Sequence, residues 1–258
     1  MNKSWNCFLA LIGKEIFLFS KEIRNKVIDS SILLLTSVAV FGYFMSFSGL
    51  NPNYGVFFFV SSIASFGIYE VLWKATVLAQ DIMDKKIQNY LVLPLKASFI
   101  FLAIALSWSL TLLLQMSILI PIGKLILFNK LQLSNFISMR FFLIFFVSNV
   151  FYGAFALWIA SLIRDLRSLS WIGARVITPL LMFSCYYYTW QSVHTISPSL
   201  GYLQLCNPLV YAVEGTRAAV LGQQGFINYW ICLGILSITT TLLLVSAIHR
   251  LKKRTHAI

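Results

Sequence analysis

The charged side chains that could do chemistry in this chain are concentrated between residues 80 and 98. Asp81 and Asp84 are three residues apart, so on a helix they share a face, and together they could bind a divalent ion in a lipid-diphosphate site. Such sites usually need more carboxylates than two, and Lys85 and Lys86 follow directly. The competing interpretation is a solvated helix whose aspartates, at its start, and lysines, after them, suit the helix dipole.

A second pair of charged residues lies inside a long apolar run. Glu70 and Lys74 are four residues apart, a spacing at which a helix brings side chains together. Ionisable groups within a membrane span are costly and are usually paired or functional. We predict an ion pair near the cytoplasmic end of the span. The alternative is a polar patch at the inner mouth of a substrate path.

Motifs for other chemistry are not found in the sequence. There is no G-x-x-x-x-G-K-[ST] phosphate loop, so any nucleotide site that drives this protein must be on another polypeptide. The four cysteines have no paired short spacing and the three histidines are scattered, so we predict no metal site. A disulfide between Cys185 and Cys206 is left open.

The composition is that of a membrane protein. The 258 residues are 59% hydrophobic and 11% charged, with a mean hydropathy of +0.82, whereas soluble domains have about 25% charged residues. A spanning helix needs about 20 apolar residues, so the chain has no room for a soluble catalytic domain. The net charge of +12 lies beside apolar runs, as in the orientation bias of membrane proteins, and we predict no nucleic-acid partner.

These features predict an all-α polytopic membrane protein with six transmembrane helices in a single transmembrane domain, 1–258. An amphipathic apolar stripe over 4–23 predicts an N-terminal interfacial helix, 1–26, that contacts membrane lipid. Most lysines and arginines lie on one side when the N-terminus is inside, so both termini are predicted to be cytoplasmic. The predicted spans are 28–48, 55–79, 99–120, 139–163, 171–190 and 227–248.

The segment 191–226 is too polar and too broken to cross the membrane as one helix. Asn207 can cap a helix that starts at Pro208, and Glu214 and Arg217 are spaced to pair. We predict an outer re-entrant helical hairpin before the last span, a form that membranes permit when it is buried against protein.

Aromatic residues cluster toward the outer ends of two predicted spans. Interfacial aromatic belts are ordinary membrane anchors. The functional alternative is that the rings form a substrate path between spans one and five, stacking on sugars or holding apolar cargo. The residues concerned are Tyr43, Phe44 and Phe47 in span one, and Tyr186, Tyr187, Tyr188 and Trp190 in span five.

Two sequence segments add to this predicted arrangement of spans. MDKKIQNYLVLPLKASFIFLA, 83–103, is similar to the cytoplasmic segment of permease subunits of type-2 ABC exporters, with Pro94 and Ser98 in the expected places but without the glycine often found in its helix. NPLVYAVEGTRAAVLG, 207–222, resembles the outer segment that precedes the last span in that family. The order of spans and loops resembles the same family along essentially the whole chain.

The resemblance implies a permease of the inner membrane, not an enzyme, that pairs with a second permease copy, which we expect to form a homodimer. A separate ABC ATPase subunit would bind ATP and Mg, and this chain would bind no cofactor. Segment 80–98 would contain the coupling helix. Its implied ATPase contacts are Asp81, Asp84, Lys85, Lys86, Gln88 and Tyr90, and the outer hairpin with Asn207, Pro208, Glu214 and Arg217 would form the exit of the path.

Two other functions remain open from the sequence. One is a membrane-embedded enzyme that acts on a lipid diphosphate, which would need Asp81 and Asp84. The other is a non-transporting scaffold subunit, in which the aromatic clusters are dispensable. For an exporter, the substrate is lipid-linked, a glycan or hydrophobic, since no predicted span carries a row of charged residues.

Overall fold

The computed structural model describes residues 3–45, 49, 51, 53–127, 136–163, 165 and 167–255, and this part of the chain is helical without any strand. Two short π-helical segments, Val40–Phe44 and Gly173–Ile177, continue from preceding α-helices. The α-helices are α1 (Lys3–Ala39), α2 (Tyr54–Ser65), α3 (Gly67–Met83), α4 (Gln88–Leu91), α5 (Ala97–Leu127), α6 (Ser138–Leu162), α7 (Arg167–Ile172), α8 (Thr178–Met182), α9 (Trp190–Ile196), α10 (Pro198–Gln204), α11 (Pro208–Val220) and α12 (Tyr229–Thr255).

Five helical stretches among the described residues are long and apolar enough to cross a membrane. They match five of the predicted spans. In the region of predicted span five the apolar helix is shorter, Leu169–Met182, so the predicted helix end at residue 190 is wrong. The five stretches are Ser4–Phe44, Tyr54–Met83, Ala97–Leu127, Ser138–Leu162 and Tyr229–Arg254.

Helix α1 is a single helix of 37 residues. We predicted an interfacial helix over 1–26 and a separate span from residue 28, and no helix break separates the two. The physical reason is that no glycine or proline occurs between Gly13 and Gly42, so nothing in the sequence stops the helix. At 1.5 Å per residue α1 is about 55 Å long, which exceeds the hydrocarbon core.

The charged segment 80–98 is not one helix. Helix α3 continues through Asp81 to Met83, and α4 begins only at Gln88. The interruption occurs because Lys85 has a φ of 58°, the left-handed conformation that commonly ends helices. The predicted coupling helix from Asp81 to Tyr90 is therefore interrupted, and Asp81 lies at the C-terminal end of a helix, where a carboxylate opposes the dipole.

Close packing between helices is achieved through small residues. Gly42, in the π-helical turn after α1, faces Gly55 of α2 so closely that a Cβ atom on Gly55 would lie 2.6 Å from the Cα of Gly42. Helix association in lipid depends on such close approach because lipid tails are as apolar as the side chains. Helix α6 packs against α3, α5, α11 and α12 and forms the centre of the bundle.

Helices α6 and α12 run parallel to each other. At their first turns the Tyr229 hydroxyl donates to the carbonyl of Arg140 at 2.9 Å. At their last turns an Arg254 guanidinium N–H donates to the carbonyl of Ile163 at 2.5 Å. The chain between Ile163 and Tyr229 therefore passes from one end of the bundle to the other.

The α-helix of the second candidate span is interrupted at Phe66, between α2 and α3. The Tyr152 ring of α6 lies against Gly67, where a Cβ atom would be 2.2 Å from its Cδ2 atom. The Tyr152 hydroxyl donates to the carbonyl of Ala64 at 2.6 Å, an oxygen that an unbroken helix would pair with a backbone N–H. The Tyr152 ring thus lies at the interruption, and its hydroxyl supplies a hydrogen-bond donor to the Ala64 carbonyl.

We predict that Gly67→Ala lowers the stability of the detergent-solubilised protein by about 1–3 kcal/mol, because the added methyl group overlaps the Tyr152 ring. The measurement is thermal unfolding in detergent. Gly234→Ala is the matched control in α12, where no atom lies within 4 Å of the added Cβ. Equal melting temperatures for the two variants would contradict the packing described.

Candidate functional site

A buried ion pair lies in α11. A guanidinium N–H of Arg217 is 3.1 Å from a carboxylate oxygen of Glu214, and both side chains are 0% exposed. The pairing predicted from their spacing is confirmed. Neither charge is in contact with water, so each must be satisfied by protein groups.

Arg217 uses its planar fork to join three segments. Nε and Nη2 donate to the Ser61 hydroxyl of α2 at 2.9 and 2.6 Å. Nη2 also donates to the carbonyl of Tyr186 at 2.9 Å, and Nη1 donates to that of Tyr188 at 2.9 Å. The guanidinium carbon lies 3.6 Å from the centre of the Phe57 ring, a cation–π contact.

Glu214 joins two further segments to the same pair. Its Oε1 accepts from the backbone N–H of Trp190 at 3.2 Å, where α9 begins. Its Oε2 accepts from the N–H of Ile227 at 3.3 Å, just before α12. Burial raises the pKa of the Glu214 carboxyl, while Arg217 and these backbone donors act in the opposite direction. We name Glu214, Arg217 and Ser61, with their backbone partners, the ion-pair cluster.

The start of α11 is also as predicted. Asn207 Oδ1 accepts from the N–H of Leu209 at 3.0 Å, and Pro208 is the first helical residue. Asn207 Nδ2 donates to the carbonyl of Leu180 in α8 at 2.6 Å, so the cap also attaches α11 to the preceding apolar helix.

Helices α9 and α10 pack together as a short helical hairpin. The Trp190 indole N–H donates to the carbonyl of Gly201 at 2.8 Å, and its ring stacks on His194 at 4.7 Å. Trp190 is therefore part of the hairpin rather than of a path between spans. Whether the hairpin enters the membrane stays a prediction.

Two of the predicted path residues do meet span one. The Tyr187 ring lies 5.7 Å from Phe41 and 5.9 Å from Phe58 of α2, and the Tyr186 ring lies 5.0 Å from Phe58. Tyr186 is buried, and its hydroxyl is 2.9 Å from that of Ser62. Phe41 and Phe58 were not among the predicted path residues, because in the sequence they lie among many apolar neighbours and nothing distinguishes them.

Three of the other predicted path residues have different surroundings. The Tyr43 hydroxyl donates to the carbonyl of Ile126 in α5 at 2.9 Å, and Phe44 is 66% exposed. Tyr188 accepts from Gln204 at 2.7 Å. Phe47 lies outside the described residues. A path formed by all seven aromatic residues stays a prediction.

A cavity of about 410 Å³ lies beside the ion-pair cluster at the same end of the bundle. Its wall combines aromatic faces with amide and hydroxyl groups, which can stack on and hydrogen-bond a neutral polar molecule. The side chains in its wall are Asn51, Asn53, Tyr54, Phe57, Tyr187, Tyr188, Thr189 and Ser192.

The predicted ion pair between Glu70 and Lys74 is wrong. Glu70 Oε2 is 2.9 Å from the ammonium of Lys26 in α1, and its Oε1 is 3.5 Å from Gln115 Nε2. Lys74 instead donates to the Thr111 hydroxyl of α5 at 3.1 Å. The reason is that α1 packs against α5 beside this face, and Lys26 reaches Glu70 from α1.

The charged segment is attached to α1. The Lys14 ammonium donates to the Tyr90 hydroxyl and lies 4.7 Å above the ring centre. The Ser4 hydroxyl donates to the carbonyl of Pro94 at 3.2 Å. Val92, between these contacts, is 86% exposed. The first turns of α1 therefore support a loop that presents an apolar side chain to its surroundings.

The charged residues predicted to contact a partner are mostly exposed. Asp84 pairs with Lys86 at 3.0 Å on the surface, and Lys85 and Gln88 are also exposed. Asp81 is half-buried at the end of α3. Among the described residues there is no group of three or more His, Cys, Asp or Glu side chains placed to hold a metal, so the lipid-diphosphate alternative gains no ligand beyond those seen in the sequence.

Cys185 and Cys206, whose pairing the sequence left open, do not form a disulfide. Cys185 is buried with its sulfur 3.7 Å from Gln204 Oε1, whereas Cys206 is exposed, and both are free thiols. No family model matches this chain, and no curated protein matches it in sequence.

We predict that Arg217→Met destabilises the protein by about 3–5 kcal/mol, because it leaves the Glu214 carboxylate buried without its partner. Thermal unfolding in detergent measures the effect. The double variant Glu214→Gln/Arg217→Met should recover part of the loss, since no lone charge remains. Lys86→Met, which breaks the exposed pair with Asp84, is the control and should not change the melting temperature. A single Arg217→Met variant as stable as that control would refute the role of the ion-pair cluster.

Proposed function

We propose that this chain is the permease subunit of an ATP-driven exporter of the ABC type-2 kind, with six crossings and a separate ATPase subunit. One observation carries the proposal. An exposed loop between α3 and α5 is attached to α1 through Lys14 and Tyr90, so a partner that moves the loop also moves three long helices.

The direction of the helices supports a sixth crossing. Because α6 and α12 run parallel, the residues between 163 and 229 must return across the bundle. The stretch 167–182 is 16 residues, or about 24 Å as a helix, and the turns and bends of residues 183–189 continue it toward the hydrocarbon thickness of about 30 Å. Both termini then lie on the same side, predicted to be the cytoplasmic face of the inner membrane.

The proposed coupling surface is the loop from Asp84 to Val92. The exposed Asp84–Lys86 pair and the bare Val92 side chain offer mixed polar and apolar contacts to a soluble partner. ATP and Mg would bind that partner. Motion of the loop transports cargo only if cargo interacts differently with the two resulting arrangements of the protein, as any pump requires.

The proposed exit is at the opposite end of the bundle. There the hairpin of α9 and α10 would dip into the outer leaflet, and the 410 Å³ cavity beside Tyr187 and Tyr188 would receive cargo. Its aromatic, amide and hydroxyl wall suits a glycan or a lipid-linked sugar. A hydrophobic cargo would use the neighbouring lipid-facing surface. A second permease copy, in a homodimer, would complete the path.

We predict that Val92→Asp prevents copurification of a phosphate-loop ATPase with the tagged chain from its native host. The reason is that a charge replaces the exposed apolar contact in the coupling surface. Ile196→Asp is the matched control, since Ile196 is also 86% exposed but lies on the outer hairpin. Mass spectrometry of the purified complexes provides the measurement.

Copurification of a stoichiometric ATPase with the unmodified chain and the Ile196 variant, but not with the Val92 variant, is the expected result. Loss in both variants would assign the effect to folding and remove Val92 from the coupling surface. Absence of any ATPase from the unmodified chain under gentle extraction would refute the exporter. Metal-dependent turnover of a lipid diphosphate by the chain alone would instead support the alternative, a membrane-embedded enzyme.

The proposed orientation can be tested by cysteine labelling in a Cys7→Ser/Cys206→Ser background. We predict that Ile196→Cys reacts with a membrane-impermeant maleimide in intact cells. Val92→Cys should react only after permeabilisation, because six crossings place Val92 and Ile196 on opposite sides of the membrane, whereas five would leave both residues on the same side. The Cys7→Ser/Cys206→Ser chain without an added cysteine is the control, because it measures any labelling of the two remaining buried cysteines, Cys185 and Cys232. Labelling of both residues from the same side would contradict six crossings.

A further inference from the structure

A second cavity, of about 220 Å³, opens between α1, α3 and α5 near the end of the bundle that carries the charged segment. Unlike the outer cavity, it contains charges of both signs. Its wall includes Glu15, Glu22 and Lys26 of α1 and Lys74 of α3. The proposed export function does not account for these side chains.

Lys74 faces this cavity without a carboxylate partner among the described residues. Its ammonium donates to Thr111 at 3.1 Å and lies 6.0 Å from the centre of the Trp108 ring. The carboxylate of Glu70, four residues before Lys74, is already paired with Lys26 at 2.9 Å. An ammonium has three N–H donors, so Lys74 retains donors that can bind an anionic oxygen.

Two carboxylates face the same cavity and also have no ion-pair partner within the described part of the chain. Glu15 and Glu22 are seven residues apart, about 10 Å along α1, and both act electrostatically on Lys74. The cavity therefore presents one available cation and two available anions. A ligand that carries a single negative charge would be attracted by Lys74 but repelled by the two carboxylates.

The order of these charges along the bundle is specific. Lys26 of α1 is at the level of Glu70, to which it is bonded. Lys74 is one helical turn closer to the charged segment, which places it near the level of Glu22 because α1 and α3 run in opposite directions. Glu15 lies two turns farther toward the membrane surface. The cation and one carboxylate, Glu22, are thus at the deeper level, and the second carboxylate, Glu15, is nearer the membrane surface.

We propose that this cavity binds the headgroup of a zwitterionic phospholipid from the leaflet on the side of the charged segment. In such a lipid the phosphate is attached to the glycerol, next to the hydrocarbon core, and the ammonium lies farther out. The phosphate is bound by Lys74, whose Nζ is held in place by Thr111, since the Thr111 hydroxyl donates its own hydrogen to the carbonyl of Trp108 at 2.9 Å. The ammonium lies between Glu15 and Glu22, where the aromatic Trp73 can also contact it.

The surroundings of the cavity suit the rest of a lipid. Its outer rim includes Leu18 of α1 and Trp73 and Val77 of α3, which are all exposed apolar side chains. Acyl chains can lie along this surface while the headgroup occupies the polar interior. The cavity volume of about 220 Å³ is below the usual range for a whole drug-sized ligand, which fits a headgroup whose tails remain outside.

Native mass spectrometry of the full chain in detergent tests this proposal, with phosphatidylethanolamine, phosphatidylcholine or phosphatidylglycerol added in turn. We expect one molecule of either zwitterionic lipid to bind, with weaker binding of phosphatidylglycerol. Lys74→Gln should weaken zwitterionic lipid binding about tenfold, since it removes a charge-assisted bond to phosphate. Glu15→Gln should weaken it in the same direction and move the preference toward the anionic lipid.

Lys253→Gln is the matched control, because it makes the same charge change on an exposed surface at the end of α12. Unchanged binding in this variant is part of the expected result. Equal loss in Lys74→Gln and Lys253→Gln, or a preference of the unmodified chain for phosphatidylglycerol, would overturn the proposal. The melting temperature of each variant separates lost binding from lost folding.

The site stands apart from the proposed export function. Lipid binding is measured on the chain alone, so a missing ATPase does not affect the result. Conversely, a chain that recruits an ATPase but binds no zwitterionic lipid would refute only this inference.

Discussion

The buried pair of Arg217 and Glu214 is the constraint on which the half of the molecule opposite the charged segment depends. A buried ion pair is costly unless every remaining donor and acceptor is bonded. Here the donors of Arg217 require free carbonyls at Tyr186 and Tyr188, so these residues cannot continue the preceding helix. The same two charges also bond the backbone at the start of α9 and just before α12, so these segments are held in place around α11.

The two ends of the bundle differ in how they are held. At the end opposite the charged segment the ion-pair cluster is fully buried, and it joins α2, α9 and α11 through hydrogen bonds between buried groups. At the other end, the Asp84–Lys86 pair is solvent-exposed and the loop is attached to α1 by side-chain contacts alone. Local opening costs least where polar contacts are exposed. A moving part is therefore better placed at the end with the charged segment.

The two charge pairs predicted from helical spacing show why one succeeded and the other failed. Glu214 and Arg217 occur in a short helix that is buried on all sides, so the partner nearest in sequence is also the nearest in space. Glu70 lies on a surface covered by α1, and Lys26 from that helix takes the position that Lys74 was expected to fill. Spacing along one helix cannot reveal a competitor 44 residues away.

The sequence by itself determined five of the spans, the helical class and the start of α11, because apolar runs and an Asn-Pro cap act through neighbours in the chain. Only the tertiary structure decided where the fifth apolar helix ends, that Lys85 interrupts the charged segment, and which aromatic rings meet. Phe41 and Tyr187 became neighbours through the packing of whole helices. The cavity with Lys74 and Glu15 likewise depends on α1 lying against α5 next to α3, an arrangement set by contacts between distant residues.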